Sequence, residues 1–557
     1  MSGFFLSSSI LADDILQSKG MFLNRRVQHN ENLTITKRKS LCYAHTIIDE
    51  ITDANADVVL LDGDIFNKES FADINKESDR HFLLHLYRKY GEEMLTKING
   101  SFSFVLYDSD KNILFGAKDR LGEKPLYYSL HNGNFECSSS LKSMCYGKRY
   151  SINENAKNLY IRYGWIYDSE CIFNEVHKVA AGEYFLYDVN TNEIKISKYW
   201  TIPSNTESRD PMDSEDLVIT KLDELISDSV SIRLSQDDTI GMGISSGTDS
   251  FTIYSCLLNS GCDVPLFNIV PKHSISIYDE FPLANRHVKS INPSKHIERI
   301  ALSDADCIKG LDDSTLLYDE PNSDFSCIIT SSLFRIMHQN YGITLAFSGI
   351  GADDILFGKP IYKYFLDKIE RYELSSSVLS EFCITPPGCS DAYRRVLSND
   401  DILSLQHYDI KTYLPNLLIK EDIVSQNYGI SIRNPFCDYR LVEYCSRLDI
   451  DLLYKNKRFK YLLKELLLKK FNINFFNDSK RGFAPEITTL FGISDIRERI
   501  MDILNITNMN KFFPEIPFNV VNNALNENIT VKHAQLLLNL YFYISIISNY
   551  NDNILCK

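Results

Sequence analysis

A chain of 557 residues exceeds what one hydrophobic core organises, so two or more domains are expected. With 44% hydrophobic and 24% charged residues and a net charge of −15, it reads as globular with an acidic surface, which argues against nucleic acid as the main partner. No run approaches the roughly 18 unbroken apolar residues of a membrane helix, and the 13 scattered cysteines contain no CxxC pair, which argues against zinc and for reduced thiols.

No Lys or Arg precedes the mildly apolar Met1–Ile10 stretch, so no secretion signal and a cytoplasmic location are expected. Residues 1–150 read as β-rich. Val58–Leu61 is an apolar run ending in Asp62-Gly63-Asp64. Asp79–Tyr90 carries Phe82, Leu83, Leu86 and Tyr87 at helical spacing. Ser101–Tyr107 turns at Asp108–Asn112 and returns through Ile113–Ala117. Leu126–Leu130 turns at His131–Asn134 and returns through Phe135. Both are hairpin signals. The polar stretch 201–215, with Pro203 and Pro211, is the expected linker between domains 1–200 and 216–557. Beyond it strands alternate with helices: strand Thr239–Ile244, helix Ser250–Leu258, strand Leu266–Val270, helix Tyr278–Ile291, strand His296–Leu302, helix Ile328–Asn340 and strand Ile343–Phe347. Such alternation predicts an α/β domain with a parallel sheet covered on both faces, and the remainder reads as mainly helical.

Ile244–Ser250, I-S-S-G-T-D-S, leaves a strand and opens a helix. Free N–H groups and the positive dipole end attract phosphate there, and small residues let the amides approach its oxygens. Asp249 is suited to a Mg²⁺ that binds phosphate. Taken alone, the segment reads equally well as a Ser/Gly turn with an N-capping Asp. However, Ser348–Asp354, S-G-I-G-A-D-D, follows a second strand. Loops after parallel strands share one carboxyl edge, so Asp249 and Asp353 are expected to face one metal.

These segments resemble the asparagine synthetase superfamily. The first loop resembles its S-G-G-x-D-S pyrophosphate loop, and the second its S/T-G-E-G-A-D-E segment. Arg433–Asp438 resembles R-x-P-F-L-D, Lys460–Leu463 resembles K-x-L-L-R, and Lys480–Phe483 resembles K-x-G-F. In the first half, Asp62–Asn67 is similar to N-G-E-I-Y-N, Asn99–Phe104 to L-N-G-x-F-A-F, Lys118–Tyr128 to R-D-R-x-G-x-K-P-L-Y-Y, and Tyr199-Trp200 to the Y-W before the linker. The resemblance covers nearly the whole chain in order. It implies an α+β N-terminal domain, a four-layer αββα sandwich of the class II glutamine amidotransferase (N-terminal-nucleophile) type. It also implies an α/β ATP-pyrophosphatase domain with a parallel sheet and a helical C-terminal part. The implied activity is a ligase that forms carbon–nitrogen bonds with ATP and Mg²⁺, releasing AMP and pyrophosphate.

The chain departs from that pattern at informative places. Ser2 stands where glutamine-using members carry their nucleophilic cysteine; a thiol is partly ionised and intrinsically nucleophilic, and a hydroxyl is neither. Asp62 replaces a glutamine-binding Asn, and the family's R-L-S-I segment is not recognisable in Lys37–Ile47. Ser2, Asp62, Gly63 and Asp64 therefore read as a degenerate glutaminase site. The same loss is shared by the β-lactam synthetases and the lasso-peptide macrolactam synthetases, which use an amine already in the substrate. Ile350 stands where the β-lactam enzymes carry a Tyr of their base dyad and asparagine synthetases a Glu, and it does no proton chemistry. Ala534–Tyr543 resembles the closing helix of the lasso cyclases. The resemblance thus points to amide formation on a peptide or peptide-like substrate. Asparagine synthesis from aspartate, a β-lactam synthetase-like cyclisation and a non-catalytic scaffold are the alternatives.

On this reading Ser245, Ser246, Gly247, Thr248, Asp249 and Ser250 cradle pyrophosphate. Ser348 and Gly349 approach the ribose or α-phosphate, Lys460 and Lys480 add positive charge, and Asp249 and Asp353 hold Mg²⁺. By resemblance, Phe267, Ile269 and Val270 are implied for the adenine slot. Glu320, Ile350 and Asp354 are expected at the acyl substrate, with Glu320 or Asp354 as the base. The partners are ATP and a carboxylate/amine substrate, with no nucleic acid and no membrane. A homodimer or the partner proteins of a biosynthetic cluster are the protein partners this reading admits.

Overall fold

The structure, a computed structural model, describes residues 3–23, 33–38, 41–46, 57–71, 74, 77–131, 133–167, 169–203, 214–271, 279–359, 402–475, 487–526 and 529–550. Ser2, Lys480–Phe483, Tyr278 and residues 204–213 of the expected linker lie outside them.

Strands β1 (Phe4–Ser7), β2 (Thr34–Arg38), β3 (Leu41–His45), β7 (Tyr127–His131), β8 (Asn134–Ser138) and β9 (His177–Lys178) form one antiparallel sheet, ordered β2-β3-β1-β8-β7-β9. Strands β4 (Val58–Ile65), β5 (Gly100–Asp108), β6 (Ile113–Lys118), β10 (Glu183–Asp188) and β11 (Glu193–Lys198) form a second, ordered β11-β10-β6-β5-β4. The unbroken apolar run in β4 follows from burial on both faces. Val58 and Leu60 pack against the first sheet with Phe4, Tyr43 and Phe135, whereas Val59 and Leu61 pack against the helix Asp79–Tyr90 through Phe82 and Leu86. On the other side, the helix Asp13–Leu23 covers the first sheet through Leu16 and Leu23, against Cys42 and Ala44. The result is the αββα sandwich that the resemblance implied.

The second part is α/β. Strands β12 (Ile240–Gly243), β13 (Leu266–Pro271), β14 (Ile297–Leu302), β15 (Leu345–Phe347) and β16 (Ser431–Arg433) are all parallel, in the order β14-β13-β12-β15-β16. The central pairing β12–β15 places the two Asp-bearing loops side by side. The helix expected at Tyr278–Ile291 is described as Phe281–Ile291, opened by Pro282, whose fixed φ suits a first turn. The described remainder is mainly helical, as expected, and adds one strand, β16, which is three residues long and leads directly into Asn434–Asp438.

A polar seam joins the two parts. Asn99 Nδ2 donates to Asp438 Oδ2 at 2.9 Å, Arg233 Nη1 to the same oxygen at 3.1 Å, and Asn434 Nδ2 to Glu123 Oε2 at 3.0 Å. Lys124 pairs with Asp422, both buried. The helix Val531–Asn549 crosses back as well, where Tyr160 Oη donates to Asn539 O at 2.9 Å. Among the described residues no helix is long and apolar enough to cross a membrane.

Candidate functional site

After β12, the helix Thr248–Asn259 is capped by Gly247, which has no side chain to offer its first-turn amides. The loop is ordered from within: Ser245 N donates to Ser250 Oγ at 3.1 Å, the two hydroxyls lie 3.0 Å apart, and Gly247 N donates to Ser245 Oγ at 3.2 Å. Ser246 N donates to Glu280 Oε2 at 3.2 Å. A carboxylate oxygen therefore already occupies one of the amides assigned to pyrophosphate, as an anion stand-in supplied by the chain itself. Glu280 was invisible to sequence reasoning.

The loop after β15 packs directly on the first. A Cβ at Gly349 would lie 2.9 Å from Asp249 Cβ and 3.2 Å from Ser250 N, so only glycine fits there. Gly351 has φ +96°, a left-handed conformation that side chains disfavour. With the loops this close, Asp249 and Asp353 face one cation. Lys460 Nζ lies 2.6 and 2.5 Å from the two oxygens of Asp249 and 2.7 Å from Asp353 Oδ1. Burial alone would lower the Lys460 pKa, but the two carboxylates outweigh it and push it up to about 12. Lys460 itself holds φ +51°, a conformation costing about 1 kcal/mol or more in a non-glycine residue. Gly358 makes room for it, since a Cβ there would lie 2.1 Å from Lys460 Cε.

The donor set fits a magnesium ion shared with phosphate. Two carboxylates against one ammonium leave an excess negative charge, and both supply hard oxygens. Among the described residues no three His, Cys, Asp or Glu side chains converge as a metal cage. Mg²⁺ suits such a site, because it binds through one or two carboxylates plus substrate phosphates.

These loops open into a cavity of about 650 Å³. Its walls include one stripe from each of two helices. Ser326, Thr330, Leu333 and Phe334 come from the helix Ser326–Tyr341; Leu417, Lys420 and Glu421 come from the helix Leu414–Asn427, with Tyr413 at its cap. Both stripes run i, i+4, i+7, i+8, one helix face. Lys420 Nζ donates to Asp324 Oδ2 at 2.6 Å. Ser348 Oγ donates to Glu421 Oε1 at 3.1 Å, while Glu421 Oε2 is buried with no hydrogen-bond partner among the described residues. Burial raises the Glu421 carboxyl to about 7, against the pull of Lys420 and Ser348. Glu421 was also missed in the sequence, because Lys420-Glu421-Asp422 reads as a solvated charge run.

Ile350, Asp353 and Asp354 line the cavity, as do Ser245, Asp249, Ser250, Ser348 and Gly349. Asp354 is committed: Lys359 Nζ lies 2.7 Å away and also reaches Asp409 at 3.0 Å. Burial pushes the Asp354 carboxyl up, against Lys359. Glu320 does not line the cavity. Its Oε1 accepts from Ile172 N at 2.9 Å and it pairs with Lys178, so the sandwich consumes it. Phe267, Ile269 and Val270 do not line the cavity either; Phe267 is buried against Tyr341, with ring centroids 4.8 Å apart. In the sandwich Asp62 is fully buried, and its charge helps hold up the Lys124 pKa against desolvation. Gly63 has φ +116°, with a would-be Cβ 1.9 Å from Ser101 O. Asp64 pairs with Arg433 at 3.0 Å. The carboxylate at 64 is thus bound to the second part of the chain.

Two family profiles match: one described as Asparagine synthase over residues 221–535 and one described as Glutamine amidotransferase domain over 51–200. A Methanocaldococcus jannaschii protein named putative asparagine synthetase (glutamine-hydrolyzing) 2 is 28% identical over 56% of this chain, which spans only 60% of that protein's length. Asparagine synthetase (glutamine-hydrolyzing) 1 of Bacillus subtilis is 24% identical over 77% of this chain and 76% of its own. Amidase chry2 of Gibberella zeae is 22% identical over 73% of this chain and 72% of its own.

Proposed function

The chain belongs to the asparagine synthase family, and from that premise we propose that it is an ATP-dependent ligase that adenylates a carboxylate and then forms an amide, on a peptide or peptide-like substrate. The observation that carries the reading is the convergence of Lys460 on Asp249 and Asp353, two carboxylates that line a cavity of about 650 Å³.

A carboxylate is a poor acylating agent because oxide is a poor leaving group. Attack of its oxygen on the α-phosphate of ATP gives an acyl-adenylate, whose leaving group is AMP, and releases pyrophosphate. The amides of residues 246–250 and the hydroxyls of Ser245 and Ser250 would cradle the departing pyrophosphate, with Glu280 yielding its place on Ser246 N. Lys460 would meet the charge that develops there, and Lys480 would add to it. Asp249 and Asp353 would hold Mg²⁺, which when bound neutralises pyrophosphate charge. Ser348 and Gly349 would border the nucleotide. Glu421, with a carboxyl near neutrality and one oxygen unspent, would take the proton from the attacking amine. It would supply the base that Ile350 does not. Ser2, in place of a cysteine, leaves no source of ammonia from glutamine, so the amine would come with the substrate.

The names of the relatives support a second reading, synthesis of asparagine from free aspartate. ATP–pyrophosphate exchange tests the common step. Asp249→Asn and Asp353→Asn should each lower exchange by orders of magnitude, since metal charge stabilisation is worth several kcal/mol and about 1.4 kcal/mol is tenfold. Near-normal exchange in both would refute the assignment.

A further inference from the structure

Among the described residues, Trp165 is the single cavity-lining residue that comes from the N-terminal sandwich. Its position is built rather than incidental. It follows Gly164, which ends the helix Glu154–Tyr163 in a left-handed conformation, φ +89°, where a Cβ would lie 2.1 Å from Ser323 Oγ. The N–H and Oγ of Ser323 both donate to Gly164 O at 3.0 Å. The next residue, Asp324, lines the cavity. The turn that carries Trp165 is therefore tied to the cavity wall across the seam between the two parts.

The indole packs edge-on against Tyr413, with ring centroids 4.9 Å apart. Its Nε1 is buried and meets no acceptor among the described residues, although a buried indole N–H normally finds one. Leu333, Phe334, Ile350 and Leu417 line the same cavity as Trp165 and Tyr413, and Lys359 Nζ lies over the Tyr413 ring, 4.1 Å from its centroid. Free aspartate is small and charged at every end, and has no apolar surface to bury there.

We infer that Trp165 is a specificity-determining residue lent by the N-terminal sandwich to the synthetase cavity, and that the acid it selects is a peptide whose acidic residue is flanked by a bulky apolar one. The apolar side chain packs on the part of the indole that lines the cavity. The inference rests on the carboxylate-activation reading above and gives the sandwich a role that needs no glutamine.

The test uses the full-length protein and two pools of blocked tetrapeptides, each with one Asp or Glu, flanked by Phe and Leu in one pool and by Ser and Gln in the other. In ATP–pyrophosphate exchange the apolar pool should have the lower KM. Trp165→Ala should raise that KM by about tenfold, the scale set by burying one large side chain. Its kcat should stay within about twofold and the KM for ATP should not move. Trp165→Phe should recover part of the loss. In Trp200→Phe, which removes the only other tryptophan, the apolar pool should change Trp165 emission and the polar pool should not. Equal KM values for the two pools, or Trp165→Ala matching wild type, would overturn the inference while leaving carboxylate activation standing. Exchange with free aspartate alone would also overturn it. Should no acid support exchange, the activation reading fails by itself; emission then decides, and unchanged Trp165 emission with the apolar pool overturns the inference as well.

Discussion

Gly349 shows how tightly the site depends on single atoms. The loops after β12 and β15 touch because position 349 has no side chain. Gly349→Ala should separate Asp249 from Asp353 and lower ATP–pyrophosphate exchange at least tenfold, with a stability loss of about 1–3 kcal/mol, typical of overpacking. Circular dichroism melts beside exchange assays would check both halves of that statement. Glu421 carries a pH prediction. Its folded pKa, about 7, is raised above an ordinary glutamate's. The stability it contributes is therefore fully present below the unfolded value near 4.3 and is lost as pH rises through about 7. Its work as a base has the opposite slope, because only the ionised form accepts a proton. Amide formation should rise with pH through about 7, and Glu421→Gln should flatten that limb while leaving ATP–pyrophosphate exchange within about threefold, since the base acts after adenylation. An unchanged pH profile in Glu421→Gln would remove it from the mechanism.

The seam between the two parts is an element-scale feature with its own energetics. Lys124 and Asp422 are both buried, so removing one partner leaves an uncompensated charge at a cost of about 3–5 kcal/mol. Lys124→Met should lower the thermal midpoint and split the unfolding transition in two, and Lys124→Met with Asp422→Leu should restore part of the loss. A single variant that melts like the wild type would show the seam to be dispensable. The same seam explains what the sequence conveyed and what it hid. The two loops were legible because a matching Gly, Ser and Asp pattern recurs after two strands, whereas either loop alone reads equally well as an ordinary turn. The cavity walls were not. Lys420, Glu421 and Asp422 look solvated in sequence, yet they are buried against partners 96, 73 and 298 residues away. Strand β16 has only three residues, too few for a period to show. Glu320 was expected at the acyl substrate, with a turn before a helix as the alternative, but it is drawn away by Lys178 and Ile172, which lie across the seam.

At the scale of the whole molecule, the account has the sandwich serving as a structural and recognition partner to the synthetase part, without supplying ammonia. Glutamate release from glutamine should stay at background in the purified protein; release that disappears in Ser2→Ala would contradict that view. The central claim is carboxylate adenylation followed by attack of an amine carried by the substrate, and its most direct measurement follows AMP and pyrophosphate by mass. Purified protein would be given ATP and Mg²⁺ with free aspartate plus ammonium, with free aspartate plus glutamine, or with acidic peptides bearing a free amine. The account predicts AMP formation with the peptides, matched by loss of one water from the peptide and abolished by Asp249→Asn. Efficient conversion of free aspartate to asparagine, with the peptides inert, would contradict it.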